Sequence, residues 1–149
     1  IHPKFIPTWI LILLMRAGVF IPFKTQVLIG KIIGRLLYPF MHKLRSTAYS
    51  NISHCFPDKK QTQVNLLVKR HFEAIGVSFF ETANAYYGSD HKISKLLTIS
   101  NEQLFNDALK EEGGIILLCS HFMPLMLGSR ALLLSRYYCK HTIDLKNNK

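Results

Sequence analysis

The chain has 149 residues, of which 48% are hydrophobic, so it can form one ordinary core and gives no compositional case for disorder. Nineteen Lys and Arg against nine Asp and Glu give a net charge of +10, which suits a nucleic acid, an anionic membrane surface or a phosphorylated substrate as partner. Neither the seven histidines nor the cysteines show metal-ligand spacing, so no metal or cofactor is expected. The odd cysteine count predicts reduced thiols, at Cys55, Cys119 and Cys139.

The N-terminal segment from Phe5 to Phe23 is apolar, and Arg16 is its only charge. It is about as long as the ~20 residues that a helix needs to cross a bilayer. Trp9 lies near one end and a lysine-rich flank follows, so residues 1–23 are predicted to be a membrane anchor with the cytoplasm on the lysine-rich side. Because a central arginine costs roughly 2.5–3.5 kcal/mol in a span, a tilted interfacial helix is one alternative and a buried core helix is another.

Apolar residues recur with helical spacing from Lys24 to Leu44, and Gly30 and Gly34 form a GxxxG step within this stretch. Such a step permits close approach of a second helix, but ordinary packing is the favoured interpretation of a single instance. A Pro-containing break is expected at 55–58. A second amphipathic helix is predicted from Val64 to about Tyr87, which gives a helical hairpin after the anchor.

The last third of the chain predicts a β-α-β unit, the start of an αβα sheet in an α/β fold. Its strands are predicted at Leu96–Ile99 and Ile115–Cys119, with a helix from Asn101 to Lys110 between them. His121 follows the second strand, at the carboxyl end where such folds place ligands. Pro124 suits the first turn of a further helix, whose amino-terminal dipole would face the same point. A lone histidine is nevertheless most often a satisfied, partly buried side chain.

Three stretches add context to His121: SNISHCFPD, HFEAIGVSFFETANAYY and GGIILLCSHFMPLMLG. In this order they resemble stretches of the lipid A biosynthesis acyltransferases, the late lauroyl and myristoyl transferases of Gram-negative bacteria. The resemblance covers nearly the whole chain. It implies an HX4D/E-type acyltransferase fold at the cytoplasmic face of the inner membrane. It also implies that a histidine deprotonates a hydroxyl of a lipid A precursor, which attacks an acyl carrier protein thioester, while an acid orients the imidazole.

Carried over to this sequence, the resemblance assigns His121 as general base and puts Met126 at the position of its acid. A thioether is uncharged and accepts hydrogen bonds weakly, so it cannot fix the imidazole tautomer or stabilise the imidazolium. Glu81 is the candidate substitute on family grounds, although a structural carboxylate on a helix surface is its favoured interpretation. Glu111 and Glu112 are interpreted as solvated charges at a helix end.

Family members are longer than this chain, so residues 24–149 are expected to be the N-terminal part of an acyltransferase domain whose C-terminal half is absent. Two functions stay open at this point. The first is acyl transfer to a lipid A precursor, with acyl carrier protein and membrane lipids as partners. The second is a truncated, membrane-attached remnant without turnover. A nucleic-acid-binding domain is disfavoured because no aromatic-basic surface motif is present and the anchor would stay unexplained.

Overall fold

The computed structural model describes residues 2–96, 98, 100–108, 110, 116, 118 and 121–134, and every regular element within them is helical. The chain forms two units, Ile1–Tyr87 and Gly88–Lys149. The first unit opens with a short 3-10 turn, Pro3–Phe5, and continues with four helices: α1 (Ile6–Gly18), α2 (Phe23–Leu37), α3 (His42–Cys55) and α4 (Gln61–Tyr87). The second unit contains α5 (Asp90–Leu96), α6 (Glu102–Ala108) and a helical segment at 125–134.

The N-terminal apolar segment is divided between two helices. Helix α1 ends at Gly18, and Pro22, in an extended conformation with φ −56° and ψ 138°, directly precedes α2. The prediction of one continuous helix from Phe5 to Phe23 is therefore wrong, because Pro22 has no N–H to donate back to the Gly18 carbonyl. In the part of the chain that the structure describes, no helix combines the length and the apolar character that crossing a membrane requires.

Helices α2 and α4 contact each other backbone to backbone at three glycines. A Cβ added to Gly30 would lie 2.7 Å from the Cα of Val77, and one added to Gly34 would lie 2.8 Å from the Cα of Glu73. A Cβ on Gly76 would strike the Gly30 carbonyl oxygen. The GxxxG step is thus a site of close helix approach, and the interpretation as ordinary packing is wrong.

The core of the first unit lies mainly between α3 and α4. Val64, Val68 and Phe72 recur every four residues along α4, so they share one face, and all three are buried together with Ala48 of α3. The ring of Tyr38 meets Phe72 edge to face, with 5.3 Å between ring centroids. Burial of a side chain the size of Phe72 contributes roughly 1.5–3 kcal/mol. The apolar pattern that predicted α4 includes Val64 and Phe72 of this face, but its members Leu67, Ile75 and Phe79 are only partly buried.

Helix boundaries in the first unit agree partly with prediction. The break at 55–58 is confirmed, since α3 ends at Cys55 and α4 begins at Gln61. Helix α4 ends at Tyr87, as predicted. The stretch from Lys24 to Leu44, predicted as one helix, is divided at residues 38–41 between α2 and α3. Pro39 lies in this division, where its ring is incompatible with an uninterrupted helical hydrogen-bond ladder.

The second unit does not show the predicted β-α-β unit in its described residues. Leu96 is the last residue of α5, so a strand beginning there is wrong, and Leu97 and Ile99 lie outside the described residues. Helix α6 confirms the helix predicted between the strands. Of the predicted strand Ile115–Cys119, only Ile116 and Leu118 are described, and neither is in a strand. The physical reason is that a short apolar run has too few periods to distinguish a strand from another kind of segment.

Candidate functional site

His121 is exposed, and it lies in the short coil that leads into the helical segment 125–134. The first hydrogen bond of that helix runs from the Gly128 N–H to the Pro124 carbonyl, at 2.9 Å, so the proline lies at the helix start as predicted. The His121 imidazole forms no hydrogen bond or ion pair with another described residue. Its ring nitrogens are therefore open to a ligand from solution, which is what a general base requires.

Met126 lies in the first turn of the same helix, five residues after His121, with 51% of its surface exposed. This end of a helix carries partial positive charge, so a carboxylate at this position would be favoured. The methionine adds no charge there and only a weak acceptor. Residues 121–134 contain no Asp or Glu at all, so within this segment no neighbour supplies the missing acid.

The segment that carries His121 is fixed to α5 by one arginine. The Nη2 of Arg130 donates to the Gly88 carbonyl at 2.9 Å and to an Oδ1 of Asp90 at 2.8 Å. Because Asp90 begins α5, these bonds connect the helix start to the 125–134 helix within the second unit. The sequence does not indicate this contact, because an Asp and an Arg forty residues apart give no signal of pairing.

Glu81 lies on α4 in the first unit, where its side chain is half-buried. Burial raises the pKa of the Glu81 carboxyl, because desolvation disfavours its charged form. It therefore keeps its proton to a higher pH than an exposed glutamate does. A carboxyl of this kind is more frequent at functional sites than elsewhere, but ordinary structural groups are perturbed in the same direction. Glu81 and His121 belong to different units, and their pairing stays a prediction.

A buried amide pair, which sequence reasoning missed, connects α2 to α4. Gln26 and Asn84 are both fully buried, and the Nδ2 of Asn84 donates to the Oε1 of Gln26 at 2.6 Å. The Nε2 of Gln26 donates in turn to the carbonyls of Gly18 and Ile21, at 2.8 and 2.9 Å. The Oδ1 of Asn84 has no partner among the described residues. The sequence contained one indication of this pair: Gln26 lies four residues before Gly30, so it is on the same face of α2 as the glycines.

The described residues also lack a group of side chains that could bind a metal. Among the residues that the structure describes, no three His, Cys, Asp or Glu side chains are grouped so that they could hold a metal ion. The described thiol, that of Cys55, is free and exposed at the end of α3.

Comparison with known proteins adds the family context. The family described as bacterial lipid A biosynthesis acyltransferase matches residues 1–149. The lipid A biosynthesis lauroyltransferase of Escherichia coli K12 is 27% identical over 130 residues, which are 87% of this chain and 42% of the relative. The lipid A biosynthesis palmitoleoyltransferase of the same organism is 25% identical over 132 residues, 89% of this chain and 43% of the relative. A lipid A biosynthesis acyltransferase of Haemophilus influenzae is 26% identical over 135 residues, 87% of this chain and 42% of the relative. No solved structure matches the chain.

Proposed function

Because the chain belongs to the bacterial lipid A biosynthesis acyltransferase family, we propose that it transfers a fatty acyl chain from acyl carrier protein to a hydroxyl of a lipid A precursor. The observation that carries this proposal is the exposed His121 at the start of the 125–134 helix, inside the family match. The two relatives from E. coli are named for lauroyl and palmitoleoyl transfer, which supports a fatty acyl group as the moiety moved. The chain spans 42% and 43% of the length of those relatives.

In the proposed reaction His121 acts as general base. Its neutral imidazole takes the proton from the acceptor hydroxyl while the hydroxyl oxygen attacks the thioester carbonyl carbon. When the tetrahedral intermediate collapses, the carbon–sulfur bond breaks and the sulfur leaves on acyl carrier protein. The imidazolium returns its proton to that sulfur, so the products are an ester and a thiol. The positive end of the 125–134 helix favours negative charge in its vicinity, which supports this site for an oxyanion.

Met126 supports a second candidate, a member of this family without turnover. The imidazolium formed in the first step has no carboxylate from residues 121–134 to balance its charge. In serine proteases, a different enzyme class with the same base–acid logic, loss of such an acid lowers turnover by roughly 10⁴. A chain of this kind would keep its membrane attachment and its ligands but transfer no acyl group.

Substitution of His121 by alanine tests the first candidate. We expect His121→Ala to lower acyl transfer at least about 100-fold, since a positioned base contributes on the order of 10² to 10⁴. The measurement is transfer of a labelled acyl group from acyl carrier protein to a lipid A precursor. His91→Ala is the matched control, because His91 is also exposed and lies in the same unit. Equal loss in both variants would contradict the role of His121, and absence of transfer by the unaltered chain would favour the candidate without turnover.

We also propose attachment to the cytoplasmic face of the bacterial inner membrane, through α1 lying in the interface. Large apolar side chains on α1 are about half exposed or more, among them Trp9, Ile10, Leu13 and Leu14. Moving exposed apolar surface out of water is favourable by roughly 25 cal/mol per Å². A lipid interface provides the apolar environment into which these side chains can move. Arg16 lies in the last turn of α1 and its guanidinium stacks 5.6 Å from the centroid of the Tyr87 ring. Its charge is thus held against the protein at one end of the helix.

The attachment is tested with a Trp9→Gln/Leu13→Gln double variant. We expect its partition into inner-membrane vesicles to fall at least about tenfold, because each buried side chain of this size contributes roughly 1.5–3 kcal/mol. Leu66→Gln is the control, since Leu66 is 49% exposed but lies on α4. Binding is followed by flotation. The proposal fails if the double variant floats with the vesicles as the unaltered chain does, or if the unaltered chain does not float.

A further inference from the structure

Two cavities in the first unit share Tyr38 as a lining residue. One, of about 280 Å³, is lined by Arg35, Tyr38, Lys69 and Glu73. The other, of about 390 Å³, is lined by Tyr38 together with residues of α3 and α4, including His42 and Arg45. We call the surface formed by these six side chains the Tyr38 cradle. It brings three permanent cations and one histidine from three helices around one aromatic ring.

The cradle belongs to a strongly cationic unit. Residues 1–87 contain eleven Lys and Arg against three Asp and Glu, a net charge of +8 out of the +10 of the whole chain. Of these three acids, Glu73 lines the cradle, whereas Asp58 is in the loop before α4 and Glu81 lies about two turns further along α4. Cations in such excess raise the local concentration of anions. A cavity lined by them differs from an ordinary solvated helix face.

Glu73 engages only one edge of one guanidinium. Its Oε1 accepts from the Nε of Arg35 at 2.7 Å, and the arginine side chain remains 65% exposed. The terminal nitrogens of Arg35 and the Nζ of Lys69 have no hydrogen-bond partner among the described residues. The carboxylate therefore orients the Arg35 fork without neutralising the cradle. Donors in excess of acceptors are what an anionic ligand needs.

Arg45, which lines the second cavity, is held in place by two contacts. Its guanidinium carbon lies 5.2 Å from the centroid of the Tyr38 ring, and its Nη2 donates to the Nδ1 of His42 at 3.1 Å. A guanidinium held by stacking and by a hydrogen bond loses less conformational entropy when it binds a ligand. The Tyr38 ring is itself held by an edge contact with Phe72, at 5.3 Å between ring centroids. Because Arg45 already stacks on the Tyr38 ring, that face is not available to a nucleic-acid base.

We propose that the Tyr38 cradle is a binding site for a phosphate monoester, separate from His121. A phosphate dianion presents several acceptor oxygens, which matches planar guanidinium forks and an ammonium better than a single carboxylate would. The phosphate is carried by a lipid rather than free in solution, because the same unit exposes the apolar side chains of α1. Only this choice of carrier rests on the proposed function, since phosphate binding by the cradle does not depend on acyl transfer.

The test uses a Lys69→Gln/Arg45→Gln double variant of the 149-residue chain. Arg35 is kept so that Glu73 is not left unpaired. Lys24→Gln/Lys31→Gln is the control, because it removes the same charge from exposed positions of α2 outside the cradle. Binding is measured for inorganic phosphate by calorimetry, and for phosphatidylcholine vesicles with and without phosphatidic acid by flotation. Far-UV circular dichroism verifies that both variants keep the helical content of the unaltered chain.

We expect the cradle variant to weaken phosphate binding roughly tenfold or more, and the control to change it less than about twofold, because charge-assisted hydrogen bonds are lost only in the first. A lipid carrier is supported if the cradle variant weakens binding to phosphatidic acid vesicles by the same factor, and if the unaltered chain binds these vesicles more tightly than it binds free phosphate. Tighter binding of free phosphate than of the vesicles overturns the lipid assignment. Equal weakening in both variants, or no phosphate binding by the unaltered chain, overturns the site. If the unaltered chain binds acidic acyl carrier protein but not phosphate, and the cradle variant loses that binding, the phosphate site is overturned in favour of a protein partner.

Discussion

The Gly76→Ala substitution is expected to lower the free energy of unfolding of the first unit by about 1–3 kcal/mol, because its methyl group has no space between α2 and α4. A Cβ on Gly76 would lie 2.8 Å from the Gly34 nitrogen and would strike the Gly30 carbonyl oxygen. These atoms are backbone, so no change of rotamer relieves the contact and the helices must separate. Alanine has the higher helix propensity by ~1 kcal/mol, which offsets only part of this cost. Unfolding in urea, followed by the fluorescence of Trp9 in the same unit, measures the effect.

Gly128→Ala is the matched control for this prediction. Gly128 lies in the 125–134 helix, and an added Cβ meets no described atom within 4 Å. The same substitution should therefore raise helix stability there by roughly 0.5–1 kcal/mol, since only the backbone entropy of glycine is removed. The two changes are expected to have opposite signs. Mild stabilisation by Gly76→Ala would show that α2 and α4 are not in backbone contact in solution.

Met126→Glu is expected to raise acyl transfer by about 10² to 10⁴ in a protein extended to the length of its relatives, because it restores a charge five residues after His121. The proteins to compare are two extended forms, each carrying the C-terminal part of the E. coli lauroyltransferase, since the chain spans 42% of that relative. One keeps Met126 and the other carries the Met126→Glu substitution. A carboxylate in the first turn of a helix is favourable, so the substitution should not destabilise the fold.

Two further variants of the extended protein separate charge from position. Met126→Gln has the shape of glutamate without its charge and should give little of the gain. Met123→Glu adds the same charge at an exposed neighbouring methionine, and it too should give little of the gain because its spacing from His121 is wrong. Equal and robust transfer by the extended protein with Met126 and by its Met126→Glu variant would show that another acid partners His121. Glu81→Gln would then be the next variant to assay, as Glu81 is the candidate substitute.

The helices of the first unit could be predicted from the sequence because their signals are local. The apolar spacing along α4 predicted the helix and two residues of its buried core, Val64 and Phe72, but not Val68. The division of the N-terminal segment was harder, since hydropathy alone merges residues on both sides of Pro22 into one run. Proline at that point is a stronger signal than the apolar content around it, because it removes a backbone donor that a continuing helix needs.

Features that depend on distant residues could not be predicted in this way. The pairing of Gly30 and Gly34 with Gly76 joins helical positions more than forty residues apart, and one GxxxG step does not identify its partner. The Tyr38 cradle likewise assembles from α2, α3 and α4, whose charges look like separate solvated faces in the sequence. His121 could be selected from the sequence because it lies just before a helix start and within one of the three stretches that carry the family resemblance, and its role as general base stays a prediction.

The buried Gln26–Asn84 pair has a consequence for how α2 is aligned along α4. A shift of one turn, about 5.4 Å, would bring Phe72 or Phe80 of α4 to the position of Gly76, where not even a methyl group fits. Amides without access to water do not tolerate it, since a shift of that size would separate the Asn84 Nδ2 from the Gln26 Oε1 and leave both desolvated. The glycines therefore set how near the two helices come, and the amide pair adds a polar penalty against any change in their register.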